Sequence, residues 1–419
     1  MPVDNGSPFA THLDEGMFPL SGRLDRDTFD RLLVWATRNK ASDITAQTSE
    51  PIWAQISGKW RRVIPRAVTP SEMEMIARTL YNDNASVLLN SGRDLDPAYD
   101  IRAPSLLPEE EKTCLYEFQD PSGLGRVRFR VNITPIRVPG ATGSSATIRT
   151  LPMQPIPVEK LGLEPEILQY FLPLQGMNLI CGPTGSGKST LMSSLVRWIG
   201  ETPGANKKII EYSKPIEYTY DGLDFPDCLA PAQTDLGYML RPDGNEKGEG
   251  SIWAYAVRNA LRRKPDIIIL GEMRDEATMQ AGLEAASTGH LLVSTLHTIG
   301  VPETIRRIVL TFPPSERQTI ALDLLQVLNM VVTQLLPDRV GGGKVAVREF
   351  MVFDAKVRRT LENVDVQYWP GKIRSLLKAG KVIGQSMSQA AEKLFAQGLV
   401  SAETLEKLKA RENAEEIVD

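Results

Sequence analysis

Residues 182–189 read Gly182-Pro183-Thr184-Gly185-Ser186-Gly187-Lys188-Ser189 and satisfy the pattern G-x-x-x-x-G-K-[ST] at every position. The apolar run Met177-Asn178-Leu179-Ile180-Cys181 just before it predicts a strand. The residues that follow, from Thr190 through Leu195, predict the start of a helix. Strand, glycine loop and helix in that order are what the pattern requires to hold a polyphosphate. The glycines let the backbone close around the phosphates and aim N–H groups at them, and the helix N-terminus adds a favourable field. Residues 182–189 together with Thr190 are therefore the candidate ATP-binding set. Lys188 is expected to reach the β- and γ-phosphates, and Ser189 to offer its hydroxyl oxygen to Mg2+. An ordinary glycine turn before a helix is the bland alternative, and it explains neither the full pattern nor its setting.

The chain around this loop predicts an α/β fold. Apolar strand candidates at GMNLIC, KKIIEY, DIIIL and HLLVSTL alternate with helical patterns, the signature of a parallel sheet. Upstream, FDRLLVWATRNK has helical spacing, and PIWAQISGKWRRVI and LGRVRFRVNITPIRV read as strands. In the last of these, Val127, Phe129 and Val131 alternate with Arg126, Arg128 and Arg130, which predicts a half-buried strand with the arginines on its open face. The segment LPMQPIPVEKLGLEP carries four prolines and reads as a linker. The expected organisation is a loose arm over 1–22, a first domain over 23–151, a linker over 152–165, an ATPase domain over 166–365 and a helical region over 366–419. From Phe312 onward the pattern is mostly helical, with KVAVREFMVF as a strand-like exception.

Two further segments carry chemistry. The strand candidate Asp266-Ile267-Ile268-Ile269-Leu270 leads into Gly271 and Glu272. A carboxylate at the end of a buried parallel strand lies at the sheet's C-terminal edge, beside the phosphate loop. Glu272 is thus a candidate to act on the attacking water or on Mg2+, although Gly271 stands where an aspartate is usual. A second strand candidate, Lys208 to Tyr212, leads to Ser213-Lys214-Pro215-Ile216-Glu217, making Glu217 a candidate to position water or metal. A surface glutamate after a proline turn is the bland alternative there. Of the three histidines, His290 and His297 flank the apolar run Leu291-Leu292-Val293-Ser294-Thr295-Leu296. A strand would hold them about 20 Å apart, too far for one metal ion. One of them is a candidate γ-phosphate sensor, with satisfied structural histidines as the alternative.

Composition restricts the remaining classes. A net charge of -4 gives no general attraction to nucleic acid, so no direct nucleic-acid binding is expected. Cys114, Cys181 and Cys228 form neither a metal spacing nor a disulfide framework, which fits a reducing compartment. The N-terminus lacks a basic start followed by an apolar run, and no apolar run is long enough to span a bilayer. No transmembrane segment is expected.

With these motifs assembled, the sequence resembles the secretion-superfamily ATPases: the pilus retraction (PilT-like) motors and the type IVB secretion and conjugation (DotB-like and TraJ-like) motors. The resemblance runs from about residue 24 to about residue 398. The family's Walker A matches 182–189, its atypical Walker B matches 267–272 followed by Met273-Arg274-Asp275, and its histidine box matches 288–298. Its aspartate box is matched in part by Pro215-Ile216-Glu217-Tyr218. Ala41-Ser42-Asp43-Ile44 resembles its opening motif, Arg128-Phe129-Arg130-Val131-Asn132 its arginine-bearing strand, and Arg149-Thr150-Leu151-Pro152 the approach to its linker. Thr45 stands where the family usually has histidine, and Ser213-Lys214 stand where it has an acidic pair. These departures, with the polar glycine-rich stretch 241–250, point toward the conjugation and type IVB branch, with pilus retraction as the alternative.

The resemblance implies a RecA-like P-loop ATPase domain preceded by a PAS-like α+β domain, with a helical C-terminal end. It further implies a homohexameric, cytoplasmic ring working peripherally on inner-membrane platform proteins. Glu272, Glu217 and His297 would then serve catalysis, Ser189 and Glu272 would hold Mg2+, and Arg128, Arg130 or Arg149 would complete a neighbour's ATP site. A nucleic-acid motor on the same fold is the rival reading, as is a scaffold that binds ATP without turnover.

Overall fold

The computed structural model describes residues 17–20, 22–102, 126–152, 154–237, 239 and 249–416. Cys114, residues 240–248 of the polar loop and most of the arm expected over 1–22 lie outside the described residues. The chain divides into two compact units, one of residues 1–154 with 215–222, the other of residues 155–214 with 223–419.

The first unit is built on a six-stranded sheet. Its strands are β1 (Ala41–Gln47), β2 (Trp53–Ile56), β3 (Lys59–Arg62), β4 (Ala98–Arg102), β5 (Arg126–Val138) and β6 (Ala141–Leu151). They lie in the order β3-β2-β1-β6-β5-β4, and every neighbouring pair is antiparallel. Antiparallel sheets commonly bury one face and leave the other open, and the alternation in β5 does this. Phe129, Val131 and Ile133 are buried, whereas Asn132 and Thr134 are exposed. The buried side packs with Phe29, Leu32 and Leu33 of the helix Arg26–Arg38. That helix begins where Asp25 accepts a hydrogen bond from the Thr28 backbone N–H, satisfying one of the first-turn donors that lack an intrahelical partner. Phe18 also belongs to this core, edge-on to Trp35 with ring centroids 6.1 Å apart. The arm's described end is therefore docked, with the Phe18 N–H also donating to the Val63 carbonyl.

The second unit holds an eight-stranded mixed sheet: β7 (Gly176–Cys181), β8 (Ile209–Ser213), β9 (Ala232–Asp235), β10 (Ile267–Leu270), β11 (Leu291–Leu296), β12 (Leu328–Leu335), β13 (Val347–Val352) and β14 (Gly384–Gln385). Their order is β14-β13-β12-β7-β11-β10-β8-β9. The six strands from β12 to β9 are parallel, and β13 and β14 add antiparallel edges. Strands β7, β8, β10 and β11 are buried at every position, which is why they read as largely apolar runs rather than alternations. The four strands expected here from sequence are all present.

Two expectations are corrected. Residues 328–335, expected to be helical, form strand β12 against the phosphate-loop strand β7. The described part of 366–419 is mostly helical, with the two-residue strand β14 pairing to β13 at the sheet edge. The segment 155–165, expected as linker, is folded into the second unit, with a 3-10 turn over Val158–Leu161 and the helix Pro165–Phe171 beginning at its end. Among the described residues no helix is long and apolar enough to cross a membrane.

Candidate functional site

The parallel register places the ends of β7, β11, β10 and β8 side by side, and those of β7, β10 and β11 each deliver one part of the site. Strand β7 runs into the loop 182–187, and the helix Lys188–Glu201 starts directly after it. Gly182, Gly185 and Gly187 all have positive φ. At two of them space also decides. A Cβ on Gly182 would lie 2.4 Å from the Gln334 carbonyl oxygen, and one on Gly187 would lie 2.9 Å from Gln334 Nε2. The loop can therefore only be closed by glycine at these points. Lys188 is buried, with Nζ donating to the carbonyls of Gly182 at 2.8 Å and Pro183 at 3.0 Å. The ammonium is held across the loop by the loop's own backbone. A cradle that excludes side chains, an ammonium folded over it and a fresh helix N-terminus together fit a polyphosphate.

Strand β10 ends at Leu270, and Glu272 follows two residues later, after Gly271. Glu272 Oε2 lies 2.7 Å from Arg274 Nε and 3.6 Å from His297 Nε2. His297 follows the end of β11. Its pKa is held below the ordinary 6.5, first by burial and then by the charge of Lys188, against the pull of Glu272. The lowering favours the neutral imidazole, which can donate or accept a hydrogen bond without carrying charge. Lys188, Glu272 and His297, picked from three separate motifs, thus form one electrostatic group. His290 lies before β11, at the opposite end of that strand from His297, and its backbone carbonyl accepts from the Gly176 N–H.

Gly271 has a local reason. A Cβ there would meet the Trp253 ring at 3.2 Å and Ser213 Cα at 3.4 Å. The volume an aspartate would need is filled by the indole. Asp275, the end of the Met-Arg-Asp run, caps the helix Glu276–Ser287 by accepting from the Thr278 N–H. Beside the Ser213-Lys214 departure stands a carboxylate that sequence reasoning missed. Glu211 is buried in β8, with Oε1 receiving the Ser213 hydroxyl at 2.8 Å and Oε2 the Gln233 amide at 2.8 Å. The signal was present as a lone acid inside an apolar strand, since such a charge is kept only with dedicated partners.

Among the described residues no group of three or more His, Cys, Asp or Glu could hold a metal ion. The donors at this edge are the Ser189 hydroxyl and the Glu272 carboxylate. That set suits a magnesium ion, which keeps several waters and takes phosphate oxygens from its substrate, rather than a cation caged by protein.

The other four candidates belong to the first unit. Arg130 is part-exposed, 3.6 Å from Asp96 and 3.9 Å from Glu217 Oε1. Arg149 is the most open, 63% exposed, and pairs with Asp43 at 2.9 Å. It lies directly across from Arg130 in the β5–β6 ladder. Arg128 departs from the open-face expectation. It is 4% exposed and donates to Asp100 at 3.0 Å and to the Ile216 carbonyl at 3.2 Å. The segment 215–222 joins the first unit and covers this part of β5. Alternation assigns the face correctly but is blind to what lies on it.

The family described as Type II/IV secretion system protein matches residues 119–340. The chain is 29% identical over 388 residues to the type IV pilus retraction ATPase PilT of Pseudomonas aeruginosa, covering 91% of this chain and 98% of that protein. Among solved structures it is similar to the ATPase DotB of Legionella pneumophila, with TM-score 0.79 and 34% identity over 94% of this chain and 99% of that one. It is also similar to the pilus retraction motor PilT with bound ADP, with TM-score 0.73 and 27% identity over 92% and 97% of the two chains.

Proposed function

This chain belongs to the Type II/IV secretion system protein family and is an ATP-hydrolysing enzyme of the PilT and DotB type, and from that premise we propose that it drives a type IVB-like secretion or conjugation apparatus. In this reading its second unit is a RecA-like ATPase domain and its first a PAS-like domain. Six copies close into a cytoplasmic ring that docks on inner-membrane platform proteins, since head-to-tail contacts that close give cyclic symmetry. The observation that carries the choice of branch is the likeness to the Legionella pneumophila DotB, at TM-score 0.79 and 34% identity; the Yersinia pseudotuberculosis DotB and the PilT structure each stand at 27%. The Ser213-Lys214 departure points the same way. Pilus retraction is the second reading, favoured by the similarity to PilT across 91% of the chain.

The chemistry follows from the edge just described. Backbone N–H groups of the loop, to which Pro183 contributes none, and the Lys188 ammonium grip the β- and γ-phosphates. Glu272 takes a proton from the attacking water as its oxygen bonds to the γ-phosphorus, and the bond to the β–γ bridging oxygen breaks. Ser189 and Glu272 would hold Mg2+, which when bound neutralises charge building on the phosphate oxygens. Neutral His297 donates a hydrogen bond to the γ-phosphate and registers its loss. Arg130 or Arg149, on the open face of its sheet, reaches a neighbouring subunit's phosphates, because a guanidinium fork matches their oxygens.

The test replaces the gene in its host with a Lys188→Ala version and follows plasmid transfer beside twitching motility. Lost transfer with normal motility is the expected result. Lost motility with normal transfer moves the protein to pilus retraction. No change in either sinks the secretion-motor assignment.

A further inference from the structure

Against the phosphate loop lies a line of buried polar side chains that none of the recognised motifs contains. Gln334, at the end of β12, donates from Nε2 to the Ser186 carbonyl at 2.6 Å. Its Oε1 accepts from Arg348 Nε at 2.7 Å, across the β12–β13 ladder where the two residues face each other. Arg348 is 2% exposed. Its outer nitrogens donate to the carbonyls of Leu161 and Gly162, both at 3.0 Å, and lie 3.2 Å from Glu164 Oε2. All three residues stand at or just beyond the 3-10 turn Val158–Leu161. A continuous path of hydrogen bonds thus runs from the loop, through Gln334 and Arg348, to the proline-rich segment.

The path has a directional consequence at the loop. A trans peptide points its C=O and N–H to opposite sides. With the Ser186 carbonyl fixed on Gln334, the N–H of Gly187 is turned away from Gln334, toward the concave side where phosphate oxygens sit. The same glutamine backs the loop elsewhere, filling the positions of a Cβ at both Gly182 and Gly187. A buried guanidinium with one carboxylate in reach is an expensive way to gain stability, since desolvation offsets most of its attraction. Its five donors in a rigid fork suit it instead to holding several carbonyls in fixed relation.

We propose that Gln334 and Arg348 are positioning residues that set the donor geometry of the phosphate loop and couple it to the turn at 158–164, so that nucleotide in the loop tightens that turn. The proposal rests on the reading of 182–189 as the nucleotide loop. Gln334 touches no phosphate. It acts through the Ser186–Gly187 peptide, whose N–H serves ground state and transition state alike, so its loss raises KM more than it lowers kcat.

The experiment combines steady-state ATPase kinetics with amide hydrogen exchange over 158–164, with and without ADP, on the full chain. In the parent, ADP is expected to slow exchange at 158–164. Gln334→Met removes both of the side chain's hydrogen bonds, and Gln334→Glu keeps the acceptor for Arg348 while losing the donor to Ser186. Each should raise the KM for ATP about tenfold, the effect of one lost hydrogen bond, with kcat within about threefold. Gln334→Met and Arg348→Met should also abolish the ADP-dependent protection. Gln385→Met is the control for general loosening. It removes bonds to Glu164 and to the Arg348 carbonyl but touches no loop atom, and should leave KM within about twofold. Unchanged KM in both Gln334 variants overturns the proposal, as does an equal rise in Gln385→Met or absence of ADP-dependent protection in the parent. If the parent itself fails to bind ADP, the reading of the loop falls with it, which separates the two failures.

Discussion

Replacing Glu272 by glutamine tests the central chemical assignment while disturbing little else. The amide keeps the size of the carboxylate and can still offer its oxygen to Arg274, but it cannot accept a proton from water. Oε2 of Glu272 takes both the pair with Arg274 and the contact with His297. Arg274 is 56% exposed, so its pair with Glu272 is screened by water, and losing it changes stability by less than about 1 kcal/mol. The catalytic effect is of another size. A positioned general base contributes about 10²- to 10⁴-fold, equal to about 2.7–5.4 kcal/mol of barrier.

The two magnitudes separate the roles. If Glu272 is the base, Glu272→Gln shows kcat lower by at least about a hundredfold, with nucleotide affinity and melting temperature close to the parent. Phosphate release across a range of Mg2+-ATP concentrations gives kcat, and equilibrium titration with a fluorescent ADP analogue gives affinity. A kcat within about tenfold of the parent at saturating Mg2+-ATP refutes the assignment. A loss confined to affinity, with kcat intact, points instead to a purely electrostatic role beside Arg274 and His297.

Two other sites give independent tests. The imidazole of His297 should titrate below 6.5 in an NMR pH series, because burial and then Lys188 both oppose its charge. The unfolded chain takes that proton more readily, so this residue's contribution to stability is present above pH 6.5 and falls as the pH drops through the window beneath it. Lys188→Ala should move the midpoint upward, and a parent midpoint at or above 6.5 would refute the electrostatic grouping. Arg128→Ala should lower stability by about 1.5–3 kcal/mol in thermal unfolding, the range for hydrogen bonds to a charged group, whereas Arg149→Ala should stay within about 0.5 kcal/mol. Mixing the Arg130→Ala or Arg149→Ala chain with a Lys188→Ala chain should restore some ATPase activity, since a mixed interface can contain one intact pair. No rescue from either, with rings still forming, counts against completion of the site in trans.

What was legible in the sequence was whatever the chemistry forces into consecutive residues. The loop 182–189 must be glycine where the backbone has no room for a Cβ, and the geometry at Gly182 and Gly187 shows that constraint acting. The strands β7, β8, β10 and β11 were legible because burial on both faces writes them as apolar runs. The same physics hid β12, because a short apolar run such as Leu328–Leu335 carries no period that tells strand from helix. Arg128 was placed on the correct face and misjudged, because its cover comes from residues 216–217, distant in sequence. Glu211, Gln334 and Arg348 were missed for a related reason. Each gets its meaning from a partner across the sheet or across a turn, and no local pattern records that partner. The distinction bears on mechanism. The residues that close around a phosphate chain had to be local, since one loop must wrap it. Those that tie the loop to the rest of its unit had to be distant, since coupling needs a path through neighbouring strands. The Gln334–Arg348 pair, on two strands outside every motif and bonded to both the loop and the turn at 158–164, is such a path.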